Sequence, residues 1–457
     1  MATSKNLCRY KKDFIIFLLK VLNILVVTFL FLCAWYVLYA HKIAYPFFEK
    51  GNYFVVFIFA MLYSAFSKLY GGYKLGILRV SELMYSHCIA IVVCNVLMYA
   101  IIVLLARGLL NPLGIVWAAI CQMLWCCIWA MWANKFFFCL YSPQNALLIY
   151  ENADFPSVIK NLNKMRFTVN GMISIENGLQ AVYEAVDKAD CAFLCGVSAD
   201  CRNEIIKYCI QSKKSAYVRP HISDIIISGA KRLNFSDVPI LLCESASPPA
   251  WYLVVKRGFD IIACTLALVV LSPFMLLTAI FIKLSDGGPV LFTQLRMTKD
   301  RKIFKIYKFR SMKVNADKGG KGIVTMENDD RITPIGKFIR ICRIDEIPQL
   351  INILKGDMTI VGPRPERLET IALYEQETPE FALRLQVTAG LTGYAQIYGK
   401  ANTSPYDKLQ MDLMYIANMS VIEDAKIILT TLKILFMPES TQGFEKAVDE
   451  KQEQESI

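Results

Sequence analysis

The chain has 457 residues, 55% of them hydrophobic and only 19% charged, with a formal net charge of +11. That balance is too apolar for a wholly water-soluble protein and marks a membrane protein with soluble parts. The basic residues stand beside apolar runs, so the positive charge is assigned to cytoplasmic flanks and anionic headgroups, and a nucleic-acid partner is excluded. Fifteen cysteines are scattered without a C-x-x-C pair, and His41, His87 and His221 are far apart. Neither a zinc site nor a disulfide framework is expected; the cysteines read as small buried apolar residues in a reducing compartment.

The first apolar run, Phe14 to Tyr39, is 26 residues long. At about 1.5 Å per residue it crosses a hydrocarbon core of about 30 Å with some tilt, and it is too long for a signal peptide. Lys5, Arg9, Lys11 and Lys12 precede it and place the N-terminus in the cytoplasm. Further spans are expected over Tyr53 to Phe66, Leu83 to Leu105 and Leu113 to Leu140. The loop with Lys68, Lys74 and Arg79 is more basic than the turn around Asn111, and Lys135 agrees with the same side. Residues 1–142 are therefore read as a domain of four transmembrane helices returning the chain to the cytoplasm.

From Asn145 the pattern changes to a βαβ rhythm, with strands at Ala146 to Tyr150, Phe167 to Ile175, Cys191 to Val197 and Val238 to Cys243. Helices are expected over Pro156 to Met165, Leu179 to Lys188 and Arg202 to Ser212. This predicts a Rossmann-like α/β domain over 143–250. The first strand runs into Glu151-Asn-Ala-Asp-Phe-Pro156 without the G-x-G-x-x-G turn that admits a pyrophosphate. A structural or regulatory domain contributing to a homodimer follows, and Ser245 to Ala250 reads as a linker.

Ile261 to Ile282 is again apolar and is 22 residues long. Two features set it apart from a fifth span. Ser272-Pro273 lies near its centre, where proline removes a helical hydrogen bond. Lys256 and Arg257 precede it and Lys283 follows, so both flanks are basic. A helix over 259–284 that enters and leaves on one face is the preferred reading, with a proline-kinked span as the alternative. Between Arg296 and Lys313 stand eight basic residues and one acid, Asp300. With Phe304 to Met312 as a strand, Lys308 and Arg310 fall on one face and would clamp a diphosphate; Lys299, Arg301 and Lys302 read as a face toward lipid headgroups. Thr333-Pro334 is a helix start. Gly390, Gly393 and Gly399 bracket Tyr394 and Gln396, either to let backbone approach a substrate or as simple turns. Tyr406 to Met419 and Asp424 to Phe436 read as amphipathic helices on the bilayer surface, and the tail 438–457 as disordered.

The run Arg340 to Pro365 carries the chemistry. Ile347, Leu350, Ile351 and Leu354 have helical spacing, Gly356 ends the helix, and Asp345 and Glu346 fall at its start, where free N–H groups would attract a phosphate. Arg340, Arg343 and Arg364 supply the cations that would let a phosphate approach two carboxylates, and Pro363 and Pro365 hold Arg364 rigidly. Read alone, the acid pair is a helix cap.

Seven motifs in order, Lys256-Arg-Gly-Phe-Asp260, Ser272-Pro273, Lys308-Phe-Arg-Ser-Met312, Arg331-Ile-Thr-Pro-Ile-Gly336, Asp345-Glu-Ile-Pro-Gln-Leu350, Gly362-Pro-Arg-Pro365 and Gly390-Leu-Thr-Gly-Tyr-Ala-Gln396, resemble the polyprenyl-phosphate hexose-1-phosphate transferases, the bacterial sugar transferase family that starts capsule, exopolysaccharide and O-antigen units. The resemblance is close from Lys256 to Phe436. It implies a monotopic α/β phosphoglycosyl transferase domain over 251–437, facing the cytoplasm at the bacterial inner membrane, with the re-entrant helix broken at Ser272 and Pro273. It implies transfer of sugar-1-phosphate from a UDP-sugar to polyprenyl (undecaprenyl) phosphate with release of UMP. Asp345 is then the nucleophile and Glu346 the metal or proton group, with the metal held by one or both acids. Magnesium fits, since it takes oxygen ligands from one or two carboxylates plus phosphates. Lys308, Arg310, Arg343 and Arg364 are the phosphate contacts, and Arg257 with Asp260 orients the re-entrant helix near the lipid phosphate. Two rivals are a glycosyltransferase releasing UDP and a noncatalytic membrane scaffold. Family members of this design often use glucose or galactose, but the sequence names no sugar.

Overall fold

Helix α1 (Ala2–Ala34) starts well ahead of the expected Phe14 and runs into a π-helical turn, Trp35–Tyr39. Helices α2 (Lys50–Leu69), α3 (Val80–Ala106) and α4 (Leu113–Leu140) follow, the last with the bounds read from sequence. All four are long and apolar enough to cross a membrane. The computed structural model describes residues 2–47, 50–151, 166–246, 248–314, 331–399 and 403–435. The helix expected over 156–165 and the tail from 438 lie outside the described residues.

Between apolar helices in lipid the hydrophobic effect gives little direction, so polar contacts and close packing fix the register. Each helix of this bundle supplies one. Asn23 on α1 donates to Tyr63 Oη on α2 at 2.9 Å, and Tyr63 Oη lies 2.9 Å from His87 Nδ1 on α3. Trp125 Nε1 on α4 donates to Asn23 Oδ1 at 3.0 Å. Asn95 donates to Gln122 at 2.8 Å, joining α3 to α4 a few turns away. Phe29, Phe57, Val96 and Leu124 point outward from the same helices.

The chain divides into two compact units, Met1–Arg219 and Pro220–Ile457. The first unit also holds a parallel sheet of β1 (Gln144–Tyr150), β2 (Phe167–Ser174), β3 (Cys191–Cys195) and β4 (Ser215–Val218) in the order β2-β1-β3-β4. Helices α5 (Leu179–Lys188) and α6 (Ala199–Gln211) cover one face. Leu147, Ile149 and Leu194 pack against Val182, Val186 and Ile205 there, while Ala146, Leu148 and Phe193 are buried on the other face. Burial on both faces is what a parallel sheet requires. Strand β4 is short and half-exposed, and the sequence gives it no alternation long enough to read.

The expected strand at Val238 to Cys243 belongs elsewhere. Helix α7 (Ile222–Ser228) and the hairpin β5 (Lys231–Phe235) and β6 (Val238–Leu242) lie in the second unit, and β6 pairs antiparallel with β5 instead of joining the parallel sheet. An apolar run of five residues fits either kind of strand, so periodicity alone did not choose.

Helix α8 (Ala250–Asp286) is one uninterrupted helix of 37 residues with Pro273 inside it. The expected break does not occur, for a local reason. Pro273 leaves the Val269 carbonyl without its helical donor, and the Ser272 hydroxyl donates to that carbonyl at 2.8 Å. The hairpin β7 (Leu291–Met297) and β8 (Ile303–Phe309) follows, turning through Asp300 and Arg301, both with positive φ.

Candidate active site

Helix α9 (Pro334–Ile341) begins as its sequence predicts, with Thr333 Oγ1 accepting from Gly336 N at 2.9 Å and proline in the first turn. It ends at Cys342. Arg343 takes a left-handed conformation, φ 53° and ψ 23°, and swings the chain into a 3-10 turn, Ile344–Glu346. Helix α10 (Gln349–Lys355) starts only after Pro348 and stops at Gly356, whose φ of 87° favours glycine. The acid pair therefore sits in the 3-10 turn ahead of the helix, because Pro348 has no N–H with which to extend α10 backward. Several of the donors expected to be free are used: Glu346 N bonds Arg343 O at 3.3 Å, Ile347 N bonds Ile344 O at 3.2 Å and Leu350 N bonds Ile347 O at 3.0 Å.

The two acids have different surroundings. Glu346 Oε1 accepts from Lys308 Nζ at 3.1 Å and from Arg364 Nη2 at 2.8 Å, leaving Oε2 without a hydrogen bond among the described residues. Burial by itself would raise its carboxyl, but Arg364 and Lys308 hold it well below the usual carboxylate range. Asp345 makes no hydrogen bond among the described residues. Burial and then the neighbouring Glu346 push its carboxyl up, against the pull of Lys308, Arg340 and Arg364. A salt-bridged carboxylate beside an unbonded, desolvated one is an arrangement in which the second is the better nucleophile.

Lys308 reaches the acids because α10 and β8 are sewn together. Asn352, fully buried, donates to Lys305 O at 2.8 Å and accepts from Tyr307 N at 3.0 Å, acting as a surrogate strand beside β8. Arg364 follows strand β9 (Thr359–Val361), which pairs parallel with β10 (Gly390–Thr392). A Cβ on Gly390 would lie 2.0 Å from Gly362 N, and one on Gly393 would lie 2.3 Å from Gly362 O. These glycines admit the chain's own backbone, where the sequence left substrate approach or simple turns open.

The remaining candidates divide. Arg340 Nε donates to Ser311 Oγ at 2.8 Å and faces Asp345. Strand β8 ends at Phe309; the next residue, Arg310, has its N bonded to Val290 O at 2.9 Å and its guanidinium against Gly288. The side chain of Arg343 forms no ion pair among the described residues; its backbone makes the turn. Of the basic run, Arg301 pairs with Glu375 at 2.8 Å and Lys302 lies 3.9 Å from Asp357, so the domain's own acids partly neutralise it.

The charged residues at the start of α8 are all turned inward. Lys256 donates to Asp424 at 2.6 Å and to Tyr415 Oη at 3.1 Å. Arg257 donates to the carbonyls of Ile353 at 2.6 Å and Leu354 at 2.8 Å, capping the C-terminus of α10. Asp260 accepts from Thr359 Oγ1 at 2.6 Å and Ile360 N at 3.2 Å. Arg257 and Asp260 thus fasten α8 to the domain and so orient that helix. Farther along, Cys264 and Leu268 pack with Phe304, Ile306 and Ile353, and beyond Pro273 Met275 and Ile282 pack with Phe309 and Ile339. Val254, Val269, Val270, Phe274 and Leu284 are exposed on the same helix.

Sequence reasoning passed over Asn352, Arg296, Arg384 and Asp412. Asn352 had a visible signal, an amide between Ile351 and Ile353 in an apolar helix. The others are joined to the site only by the fold.

An acid pair in a cation-lined turn, on an α/β domain packed against a long apolar helix, is the kind of site that can hold an anionic group beside a carboxylate. The family model described as "Bacterial sugar transferase" matches residues 251–438. An exopolysaccharide production protein, PSS, of Rhizobium leguminosarum bv. phaseoli is 42% identical over 190 residues, 39% of this chain and 94% of that protein. The chain belongs to the bacterial sugar transferase family. A UDP-N-acetylgalactosamine-undecaprenyl-phosphate N-acetylgalactosaminephosphotransferase of Aeromonas hydrophila is 40% identical over 218 residues, 47% of this chain and 51% of that protein. A UDP-glucose:undecaprenyl-phosphate glucose-1-phosphate transferase of Escherichia coli K12 is 42% identical over 187 residues, 39% of each. The chain thus spans about half the length or less of these two relatives.

Proposed function

We propose that this chain transfers sugar-1-phosphate from a UDP-sugar to a polyprenyl phosphate and releases UMP, starting a surface polysaccharide unit. The observation that carries the reading is the division of labour in the acid pair: Glu346 is neutralised by Lys308 and Arg364 while Asp345 is left unbonded beside them. Relatives named for undecaprenyl phosphate and for UDP-sugars agree with it. Their sugars differ, so none is assigned.

In this mechanism an Asp345 oxygen attacks the phosphorus that bears the sugar. The bond from that phosphorus to the bridging oxygen breaks, and UMP leaves with the electron pair. The lipid phosphate oxygen then attacks the same phosphorus, the aspartyl bond breaks, and the product is a polyprenyl diphosphate sugar. Arg364 and Lys308 screen the phosphates, and Arg340 faces the attacking carboxylate. The residues fit a magnesium ion: no cluster of three or more His, Cys, Asp or Glu occurs among the described residues, but Asp345 and Glu346 Oε2 are unbonded, and such an ion commonly takes two carboxylates and completes its shell with phosphate and water. Magnesium when bound would add charge neutralisation at the diphosphate. Purified protein given a UDP-sugar, polyprenyl phosphate and magnesium is expected to release UMP; release of UDP instead would establish direct glycosyl transfer and end this reading.

We also take α1 to α4 as the four spans, with the catalytic domain cytoplasmic and the unbroken α8 lying along that domain's side of the membrane instead of crossing it. Its support is that α8 is docked on one domain both before and after Pro273. Single cysteines at Trp251 and Leu284 in a background without other exposed thiols should both be labelled from the cytoplasmic side and neither from outside. Labelling on opposite sides makes α8 a fifth span. The parallel-sheet domain we read as Rossmann-like and structural, since Glu151 Oε2 accepts from Ser198 N at 2.6 Å and puts a carboxylate at the N-terminus of α6.

A further inference from the structure

Arg364 stands between two prolines that have no N–H, so its loop cannot brace itself with their backbone donors. Outside donors hold it instead, one for each of three consecutive carbonyls. Pro363 O accepts from Gly390 N at 2.8 Å, Arg364 O from Arg384 Nη2 at 2.8 Å, and Pro365 O from Arg296 Nη1 at 3.1 Å. The middle donor belongs to a 3-10 segment, Pro379–Gln386, and is itself fixed. Its guanidinium lies over the Phe381 ring at 4.9 Å, and Asp412 on helix α13 (Pro405–Ala417) meets its Nη2 at 2.7 Å.

We propose that Arg384, held by Asp412, is a positioning residue for the Arg364 phosphate clamp: the pair sets the backbone from which Arg364 reaches Glu346 and the donor's diphosphate. The proposal rests on the reaction described above. It runs through four contacts in series, Asp412 to Arg384, Arg384 to the Arg364 carbonyl, the Arg364 guanidinium to Glu346, and Glu346 to Lys308.

The competing explanation is an ordinary core ion pair joining the 3-10 segment to α13. Its energetics argue against it. Arg384 is 3% exposed and Asp412 1%. A buried pair gains stability only when hydrogen bonding is complete, because desolvation offsets the attraction. Here Arg384 Nε and both carboxylate oxygens of Asp412 have no hydrogen-bond partner among the described residues, the 2.7 Å contact being an ion pair without hydrogen-bond geometry. Burial pushes the Asp412 carboxyl up to about 6, with Arg384 opposing, Glu366 adding, and Lys408 on the same helix opposing. Its surroundings thus disfavour the charged form, and packing alone gives no reason to place a carboxyl there. Leu383 and Leu413, next in sequence to the pair, already supply apolar contact between the two elements.

The test is a double-mutant cycle on the full-length protein in membrane mimetic, reading UMP release and, in parallel, calorimetric binding of a UDP-sugar. Asp412→Asn should lower kcat/KM about tenfold to a hundredfold, the scale of a misplaced catalytic group. In an Arg364→Ala background the same change should cost less than about twofold, because the residue it acts through is gone. Asp412→Glu, which keeps the charge, should recover part of the loss. An equal loss in both backgrounds makes the pair a packing feature and overturns the proposal. Should Asp412→Asn fail to give a folded protein by size exclusion, Arg384→Lys replaces it in the cycle, retaining charge without the planar fork. Binding that follows the cycle in a protein releasing no UMP would sink the reaction and sustain the positioning role; binding and turnover both indifferent to Arg384 would sink the latter alone.

Discussion

Asp345→Asn is expected to reduce UMP release by a factor of about 10³ or more, the scale seen when a covalent nucleophile is removed. The substitution preserves volume and removes a carboxyl that makes no hydrogen bond among the described residues, so the fold should persist with an unchanged melting temperature to within a few degrees. The wild type, given a UDP-sugar without lipid acceptor, should release up to one equivalent of UMP per active site, because the first half-reaction needs only Asp345. The Asn variant should give no burst. A variant that retains turnover within tenfold of wild type excludes an aspartyl intermediate at this position and moves the attack to the lipid phosphate itself. Loss of turnover with the wild-type burst absent as well would point to direct in-line transfer, with Asp345 acting on the metal or a proton.

How much of this arrangement was legible in the sequence depended on the range of the interaction. The long apolar helices of the first unit were, since sustained apolar runs mark such helices, and α4 agrees at both bounds. So were the starts and stops made by local chemistry, Thr333-Pro334 and Gly356. The acid pair was located but its setting was not, because the left-handed turn at Arg343 is imposed on a residue with no intrinsic preference for it. Lys308 and Arg310 were paired by strand period, and the assigned strand β8 stops one residue short of Arg310. The partner of Lys256 was beyond reading: Asp424 is 168 residues away, and which acid meets which base over that distance is decided by the packing of α8 against α13 and helix α14 (Val421–Leu435). For the same reason the inward role of Arg257 and Asp260 could not be told from a lipid-facing one. A charged residue at the foot of a membrane helix looks alike in sequence whether it turns to a headgroup or to a helix C-terminus.

Glu346→Gln is expected to lower kcat/KM about 10² to 10³-fold, the range measured when one electrostatic group of a preorganised site is lost. The side chain keeps its shape and an acceptor oxygen for Arg364, but the negative charge that balances two partly buried cations disappears. Lys308 and Arg364 then lose the carboxylate they share, which destabilises the fold by less than the roughly 3 kcal/mol of a fully buried pair, because Arg364 is partly exposed. The loss should depend on pH in a defined direction. A carboxylate whose folded value is depressed contributes stability that is complete above its unfolded value, near 4.5 here, and that is lost as pH falls through the lower folded value. The Gln variant lacks that contribution at every pH. Melting temperatures of the two proteins should therefore differ by a constant amount from pH 8 down to about pH 5 and converge below pH 4.5. Asp345 titrates in the opposite sense, with its carboxyl raised, but it is present in both proteins and largely cancels in the difference. A gap that stays constant into strong acid would mean that Glu346 contributes through shape alone, and the charge balance assigned to Lys308 and Arg364 would have to be abandoned.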